Sequence, residues 1–359
     1  MTDLRERSRG LTGVLLATAL TLAAGGGSAE ETATDAAVDE PATEAATDES
    51  SDELDDVPFP RTFVHDDSLE ADEYYQHLPN EVVIEAKPQR IVSLAPGEYT
   101  DALLALGVEP VGTSTYGDVA GRSVDDPEVF PPAIGKQAVE AGLFAVGSCC
   151  EFDAELLATL DPDLFLGTTY SADGDANLEQ LAPLVEPFGS RDWRETFRRV
   201  AFAIGEDGRA EEIIADWDAR AAELRAPLEG TQVALVRPRP DSIYVYGPPS
   251  NAGTILAELG LEMLPAPEGS SITADALGAI GDISLERLSE MGDAEHLFVI
   301  TYNVDDQQLE EYTSNPLWQQ LPAVQAGNVH LVEGTAWTNH GPIGADVVLD
   351  EIEAALLAS

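Results

Sequence analysis

Cations and cysteine are scarce in this sequence. Its 359 residues include 67 Asp and Glu but only 18 Lys and Arg, which gives a formal net charge of −49. Nucleic acids and anionic membrane surfaces are therefore unfavourable partners, because phosphate binding needs clustered cations. Two causes of the acidity remain open, a carboxylate surface adapted to high salt and a long acidic linker.

The two cysteines are neighbours, Cys149 and Cys150, so they cannot join distant segments of the chain. In an oxidising compartment they form either a strained vicinal disulfide or two thiols. A closed metal site usually has four ligands, and no further ligand accompanies this pair in the sequence. The pair therefore predicts no metal centre.

Residues 1–29 predict an export signal. A basic start precedes the apolar stretch 11–24, which is too short for a comfortable membrane span. The context is that of a bacterial lipoprotein signal, but Gly25 stands where the lipidated cysteine belongs, so no acyl chain is expected. Cleavage after Ala29 and an uncleaved anchor both remain open. The protein is expected to be exported to the cell envelope or beyond.

Residues 30–60 predict an acidic linker. Between positions 30 and 56 only Val38 and Leu54 are large and apolar, and the rest is dominated by Ala, Thr, Asp and Glu. Such a segment cannot bury a core and repels itself, so it is expected to be a disordered tether.

Hydrophobic patterns after residue 60 predict an α/β protein with lobes at 61–190 and 230–359 and a spanning helix region at 191–229. The stretch 90–112 predicts a strand, a turn, a helix ended by Gly107, and a second strand. Ligands of open α/β sheets bind beyond the carboxyl ends of the strands, so the turn 95–99 is a candidate site as well as a possible plain connector. From 192 to 228 the spacing is helical, with one interruption at Gly205 and Gly208.

Five stretches, in order, resemble the class III substrate-binding proteins of ABC importers, which serve iron-siderophore complexes, haem and cobalamin. The resemblance covers the chain from about residue 61 to its end. It implies two α/β lobes joined by one long, stiff spanning helix, with a ligand cleft between them. The matching stretches are KPQRIVSLAPGEYTDALLALGVEPVG, FDAELLATLDPDLFLGT, YGPPSNAGTILAELGL, NPLWQQLPAVQAGNVHLV and GPIGADVVLDEI.

The resemblance also implies a function and its partners. It implies an extracytoplasmic protein, a monomer, that captures a ferric siderophore and delivers this small iron chelate to a membrane permease. A haem- or cobalamin-binding protein of the same family is the alternative. Cys149 and Thr168 stand where cobalamin binders often carry tryptophan, which argues against cobalamin. Haem stays open, because Tyr116 or His340 offers an axial ligand.

Candidate ligand contacts follow from the resemblance and from the strand ends. Arginines suit siderophore oxygens, because a guanidinium pairs two oxygens at once; surface ion pairs are the alternative for them. Aromatic contacts are expected on the facing loops of both lobes, with core packing as the alternative. The candidates are Tyr116, Arg122, Tyr170, Arg237, Arg239, Tyr302 and Trp337.

Neither a resident metal nor an enzyme is predicted. The family's metal-ion binders need several histidines at strand ends, and only His340 lies near the expected cleft. Cys149 with His340 would be a conceivable nucleophile and base, but no catalytic motif accompanies them. A purely structural surface protein is the third possibility, and the five ordered stretches argue against it.

Docking to the permease is expected to use one acid on each lobe. The family places acidic side chains there that meet arginines of the transporter. Glu155 stands at the first-lobe position, whereas the second-lobe register points at Ala257 with Glu258 next to it. Glu155 also begins a predicted helix, where a carboxylate favours the helix dipole, so a purely local role is the alternative.

Overall fold

A computed structural model describes residues 58–65, 78–116, 120–148, 151–169, 172–268, 270–275, 278–301, 304, 306–338 and 341–358. These residues all belong to one unit, Ser51–Ser359. The predicted export signal, most of the predicted linker, and the candidates Tyr170 and Tyr302 lie outside the described residues, as do Cys149, Cys150 and His340.

An antiparallel pair of strands, β1 (Arg61–Val64) and β2 (Glu81–Ile84), opens the described chain. Alternation along β1 buries Phe63 and exposes Val64, as expected for a strand with one face on the core. The pair packs on the helices that follow the first lobe.

The first lobe contains a seven-stranded sheet in the order β5-β6-β4-β3-β8-β9, with β7 beside β6. Its five strands β4, β3, β6, β8 and β9 are parallel, and β5 and β7 pair antiparallel with β6. The elements are β3 (Ile91–Ser93), α1 (Asp101–Ala105), β4 (Gly112–Thr115), β5 (Arg122–Ser123), α2 (Pro132–Glu140), β6 (Phe144–Ser148), β7 (Glu151–Phe152), α3 (Ala154–Thr159), β8 (Leu164–Leu166), α4 (Ala172–Glu179) and β9 (Leu184–Val185).

The strand–helix–strand unit predicted at 90–112 is present, with two shifts. The predicted turn is a π-helical turn, Pro96–Thr100, that runs directly into α1. Gly107 follows the helix with a φ of +74°, as the prediction required. The next strand begins at Gly112 rather than Val108, because Pro110 has no N–H to donate to a ladder.

The connecting region consists of two consecutive helices, α5 (Trp193–Ile204) and α6 (Asp207–Leu228). Gly205 ends α5 with a φ of +75°, and its backbone N–H returns to Ala201. Gly208 lies inside α6, so the interruption predicted at two glycines belongs to the first alone. At 22 residues, α6 is about 33 Å long, enough to cross from one lobe to the other.

The second lobe contains the other seven-stranded sheet, in the order β13-β14-β11-β10-β15-β16, with β12 beside β10. The two sheets confirm the predicted α/β class with two lobes. The elements are β10 (Gln232–Pro238), β11 (Ser242–Tyr246), α7 (Asn251–Glu258), β12 (Glu262–Met263), β13 (Ser271–Asp275), β14 (Gly278–Ser284), β15 (His296–Ile300), α8 (Asp306–Thr313), α9 (Pro322–Ala326), β16 (Val329–Val332), α10 (Gly334–Thr338) and α11 (Pro342–Leu356).

Two further helical segments of the second lobe are not regular α-helices throughout. Residues Leu285–Met291 form a 3-10 helix. A 3-10 turn at Trp318–Gln320 precedes α9 as a separate element, because Pro322 cannot continue a helix but suits its first position. The sequence patterns did not indicate α2, β6, α8, α10 or the β13–β14 hairpin.

One hydrophobic core is shared by both lobes. It joins Leu103 of the first lobe, Trp217 of α6, Leu235 and Phe298 of the second sheet, and Val348 of α11. Rotation of one lobe against the other would expose part of this apolar surface to water, so the connection is expected to be stiff. Among the described residues, no helix has both the length and the apolar character needed to cross a membrane.

Candidate functional site

The carboxyl ends of the parallel strands in both sheets define the candidate site. In the first lobe, the segments after β3, β4, β8 and β9 lie at this end, and in the second lobe those after β10, β15 and β16 do. Open α/β sheets bind ligands at these ends. Tyr116, Arg237 and Arg239 are the described candidates that fall there.

Asp101 joins the two halves of the chain at this site. Its Oδ1 accepts the backbone N–H of Ile343 and its Oδ2 that of Gly344, both at 2.8 Å, so it binds the amino terminus of α11. Asp101 is only 2% exposed, and a helix amino terminus favours a negative charge there. A Cβ on Gly341 would lie 2.7 Å from Asp101 Oδ1, so only glycine fits this close approach.

Three acids surround the π-helical turn. Burial raises the pKa of Asp101 to about 7, against the opposing effect of the N–H groups of α11. Burial also raises the pKa of Glu98 to about 7 and that of Glu186 to about 8; the nearby charge of Arg191 partly opposes the shift for Glu98. The Tyr99 hydroxyl donates a hydrogen bond to Glu186. Near neutral pH these three carboxyls are partly protonated, so a carboxyl of this group can donate a hydrogen bond as well as accept one.

Two of the predicted arginines lie together in the second lobe. Arg237 is near the end of β10 and Arg239 follows it, and both are half-buried. The guanidinium carbon of Arg239 lies 4.8 Å from the ring centroid of Tyr244, a cation–π distance. The Tyr312 hydroxyl accepts the Arg239 backbone N–H at 3.0 Å and donates to the carbonyl of Ser242, which fixes the chain at this point.

The two described candidates of the first lobe, Tyr116 and Arg122, lie at different places on the sheet. Tyr116 follows β4, is half-buried, and donates its backbone N–H to Val129 at 2.8 Å. Arg122 lies on the antiparallel edge strand β5, opposite Ala145 near the amino end of β6. Its side chain is exposed, and the structure does not bring it to the strand ends where Tyr116 lies.

Trp337 lies in the core rather than on an accessible surface. It is completely buried, its indole N–H donates to Glu351 at 2.5 Å, and its ring is 4.8 Å from that of Phe298. The predicted loop is the short helix α10, whose amino terminus is capped by Glu333. This arrangement fits the core-packing alternative for Trp337, because its side chain is shielded from solvent.

The two docking candidates differ in their surroundings. Glu155 is exposed in the first turn of α3, where Asp153 caps the helix by accepting the Glu155 backbone N–H at 2.9 Å. Glu258, at the end of α7, accepts a hydrogen bond from Arg194 at 2.7 Å. Arg194 also binds Asp218, so Glu258 belongs to an ion-pair network between α5, α6 and α7. Both residues stay predictions for docking.

Other polar features lie away from the strand ends. A cavity of about 410 Å³ lies between β1, α5 and α6, and one of its arginines, Arg198, is paired with Glu211. His296 Nδ1 and His330 Nε2 are 3.0 Å apart at the amino ends of β15 and β16. In the part of the chain that is described, no group of three or more His, Cys, Asp or Glu is arranged to hold a metal ion.

Sequence reasoning missed most of the acids of this site. Glu98 lies in the turn 95–99 that was a candidate site, but Asp101, Glu186 and Asp282 of β14 were not candidates. A signal existed for Glu98 and Asp101, because they interrupt a segment of apolar and small residues that directly follows a buried strand. No local signal marks Asp101 as the partner of α11, which begins more than two hundred residues later.

The chain is similar to known binding proteins over most of its length. A sequence profile described as periplasmic binding protein matches residues 91–334. The chain is 32% identical over 288 residues to the probable siderophore-binding lipoprotein YfiY of Bacillus subtilis, a match that covers 76% of this chain and 84% of the relative.

Solved structures with the same fold give a similar result. The siderophore periplasmic binding protein from the fuscachelin gene cluster of Thermobifida fusca is 29% identical with a TM-score of 0.56, covering 76% of this chain and 98% of that one. The iron uptake ABC transporter substrate-binding protein PiuA of Streptococcus pneumoniae is 21% identical with a TM-score of 0.63, covering 84% and 100%. At that lower identity the second likeness concerns the fold.

Proposed function

We propose, from the premise that this chain belongs to the periplasmic binding protein family, that it captures a ferric siderophore outside the cytoplasm and delivers it to an ABC permease. The observation that carries the proposal is the pair Arg237 and Arg239, half-buried at the carboxyl end of the second sheet. A guanidinium in this position pairs with the oxygens that a siderophore presents around its iron.

The surroundings suit a ligand of this kind. Arg239 is held over Tyr244, so its orientation is already restricted before a ligand binds. In the first lobe, Tyr116 lies half-buried after β4, where it offers an aromatic side chain to a chelate. The shared core limits rotation of the lobes, so capture is expected with little rearrangement.

The remaining roles are assigned as parts of the same proposal. Residues 1–29 direct export without lipidation, 30–60 form an acidic tether, 61–190 and 230–359 are the two lobes, and 191–229 connect them. Glu155 on the first lobe meets an arginine of the permease. Periplasmic binding proteins act by binding solutes, and the role proposed for this chain involves no catalysis.

A fluorescence titration tests the proposed function. The full chain is titrated with ferric citrate, several ferric siderophores, haem and cobalamin, and quenching of its 4 tryptophans is followed. We expect saturable binding of at least one ferric chelate, and at least tenfold weaker binding by the Arg237→Ala/Arg239→Ala variant, because two charged contacts are lost. Arg122→Ala is the matched control and keeps full affinity. Tight binding of haem or cobalamin, with no response to any ferric chelate, would overturn the proposal.

A further inference from the structure

Three side chains form a strip at the carboxyl end of the second sheet. The backbone register pairs Arg237 of β10 with Tyr244 of β11, and Tyr244 with Asp282 of β14. Residues directly opposite each other on neighbouring strands project from the same face of a sheet. All three are half-buried. The strip therefore presents a cation, an aromatic ring and a carboxylate in that order.

Asp282 is the unusual member of this strip. Its Oδ1 is shielded from water and has no hydrogen-bond partner in the described part of the chain. The more deeply buried Asp101 accepts two backbone N–H groups, and Glu351 accepts the indole N–H of Trp337. A shielded carboxylate oxygen without a donor costs free energy, so its presence in a native structure calls for a reason.

The geometry of the strip suggests that reason. Neighbouring strands lie about 4.8 Å apart, so the backbones that carry Arg237 and Asp282 are about 10 Å from each other. Tyr244 lies between them, with Arg239 against its ring. One small chelate lying over this strip would reach both of its ends, with acceptor oxygens toward the arginines and a donor toward Asp282.

The charge of the whole chain favours the same kind of ligand. With a formal net charge of −49, the protein attracts cationic solutes and repels the strongly anionic complexes that catecholates form with iron. Salt screens this attraction at long range, but a partly buried contact is screened much less.

We propose that Asp282 binds the protonated amine of a cationic ferric siderophore, while Arg237 and Arg239 bind oxygens around the iron. This inference rests on the proposed function and narrows its substrate class. The lone pairs of the shielded Oδ1 accept the N–H groups of the ammonium, so the ligand supplies the donor that the protein lacks.

A matched pair of ligands tests this inference. Ferric Desferal carries a free primary amine, and acetylation of that amine removes the positive charge while leaving the hydroxamates that hold the iron. We expect the full chain to bind ferric Desferal at least tenfold more tightly than its acetylated form. Asp282→Asn is expected to bring the two affinities within twofold. Asp241→Asn, an equal charge change at an exposed turn of the same sheet end, is expected to keep the difference.

Each outcome separates this inference from the proposed function. Equal wild-type affinity for both Desferal forms, or a preference for an amine-free chelate such as ferric citrate, overturns the role of Asp282 and leaves ferric siderophore capture standing. Binding of no ferric chelate at all overturns both. The wild-type comparison needs no variant, so it decides the matter even if Asp282→Asn does not fold.

Discussion

At the carboxyl end of the first sheet the chain places three acids, Glu98, Asp101 and Glu186, whereas at the carboxyl end of the second sheet it places Arg237 and Arg239. The three acids form the first wall of the site, and they have partners within the chain, such as the amino terminus of α11 for Asp101. Arg237, Arg239 and Asp282 form the second wall, where the Oδ1 atom of Asp282 has no hydrogen-bond partner among the described residues.

This difference distinguishes charged groups that stabilise the fold from charged groups that can bind a ligand. A buried charge whose hydrogen bonds are all made by the protein holds the fold together, and its removal is expected to cost stability. A half-buried charge without a partner contributes little to folding and is available to a ligand. The variants below are therefore expected to split into two classes, those that change stability and those that change binding.

The largest effect on stability is expected for Asp101→Ala. The substitution leaves the buried N–H groups of Ile343 and Gly344 without an acceptor, which costs about 3 kcal/mol of unfolding free energy. Urea unfolding measures the change. Asp282→Ala is the control from the other wall, and because Oδ1 there has no partner to lose, this variant is expected to be no less stable than the wild type, within about 0.5 kcal/mol. Equal losses for both variants would contradict the distinction between the walls.

Stability is expected to fall as the pH rises from 5.5 to 8. The pKa values of Asp101 and Glu98 are raised to about 7 and that of Glu186 to about 8, so the folded state holds protons that the unfolded chain has released. Linkage then lowers the unfolding free energy over this interval, by about 2 kcal/mol for each group whose pKa is about 7. Unfolding experiments at high salt, which screens the repulsion between surface charges, measure this decrease in unfolding free energy. In Glu186→Gln the decrease is expected to be smaller, and an unchanged slope would show that this acid does not titrate there.

A smaller effect is expected for Trp337→Phe. The variant loses the hydrogen bond to Glu351 but keeps most of the packing on Phe298, so about 1 kcal/mol of stability is lost. Ligand affinity is expected to stay unchanged, since Trp337 is completely buried. Thermal unfolding and ligand titration together decide whether Trp337 is a core residue or a ligand contact. Weaker binding with unchanged stability would restore Trp337 as a ligand contact.

A further small effect on stability is expected for Glu155→Lys. The carboxylate lies in the first turn of α3, and loss of its interaction with the helix dipole costs less than about 1 kcal/mol. Binding of the ligand is expected to be unaffected, whereas uptake through the protein's own permease falls, because a rim charge controls association. Normal uptake by the folded variant in moderate salt would remove Glu155 from the docking site.

The fold was largely predictable because local patterns determine most of it. The apolar run at 91–94 and Gly107 are sufficient to identify the first strand–helix–strand unit. The site was less predictable, because its members interact over long sequence distances. Asp101 acts through Ile343, and Trp337 is buried by contacts with Phe298 and Glu351 that no local pattern reveals. The same aromatic residue in the same loop pattern would fit a cleft equally well.

Hydrogen exchange with and without the tightest-binding ferric chelate tests the central claim most directly. Capture between the two walls predicts slower exchange in residues 94–101 of the first lobe and in 237–246 of the second. Residues 61–64, beside the cavity between β1, α5 and α6, are predicted to exchange at the same rate in both states. Protection confined to that cavity, with no change at either wall, would contradict the account.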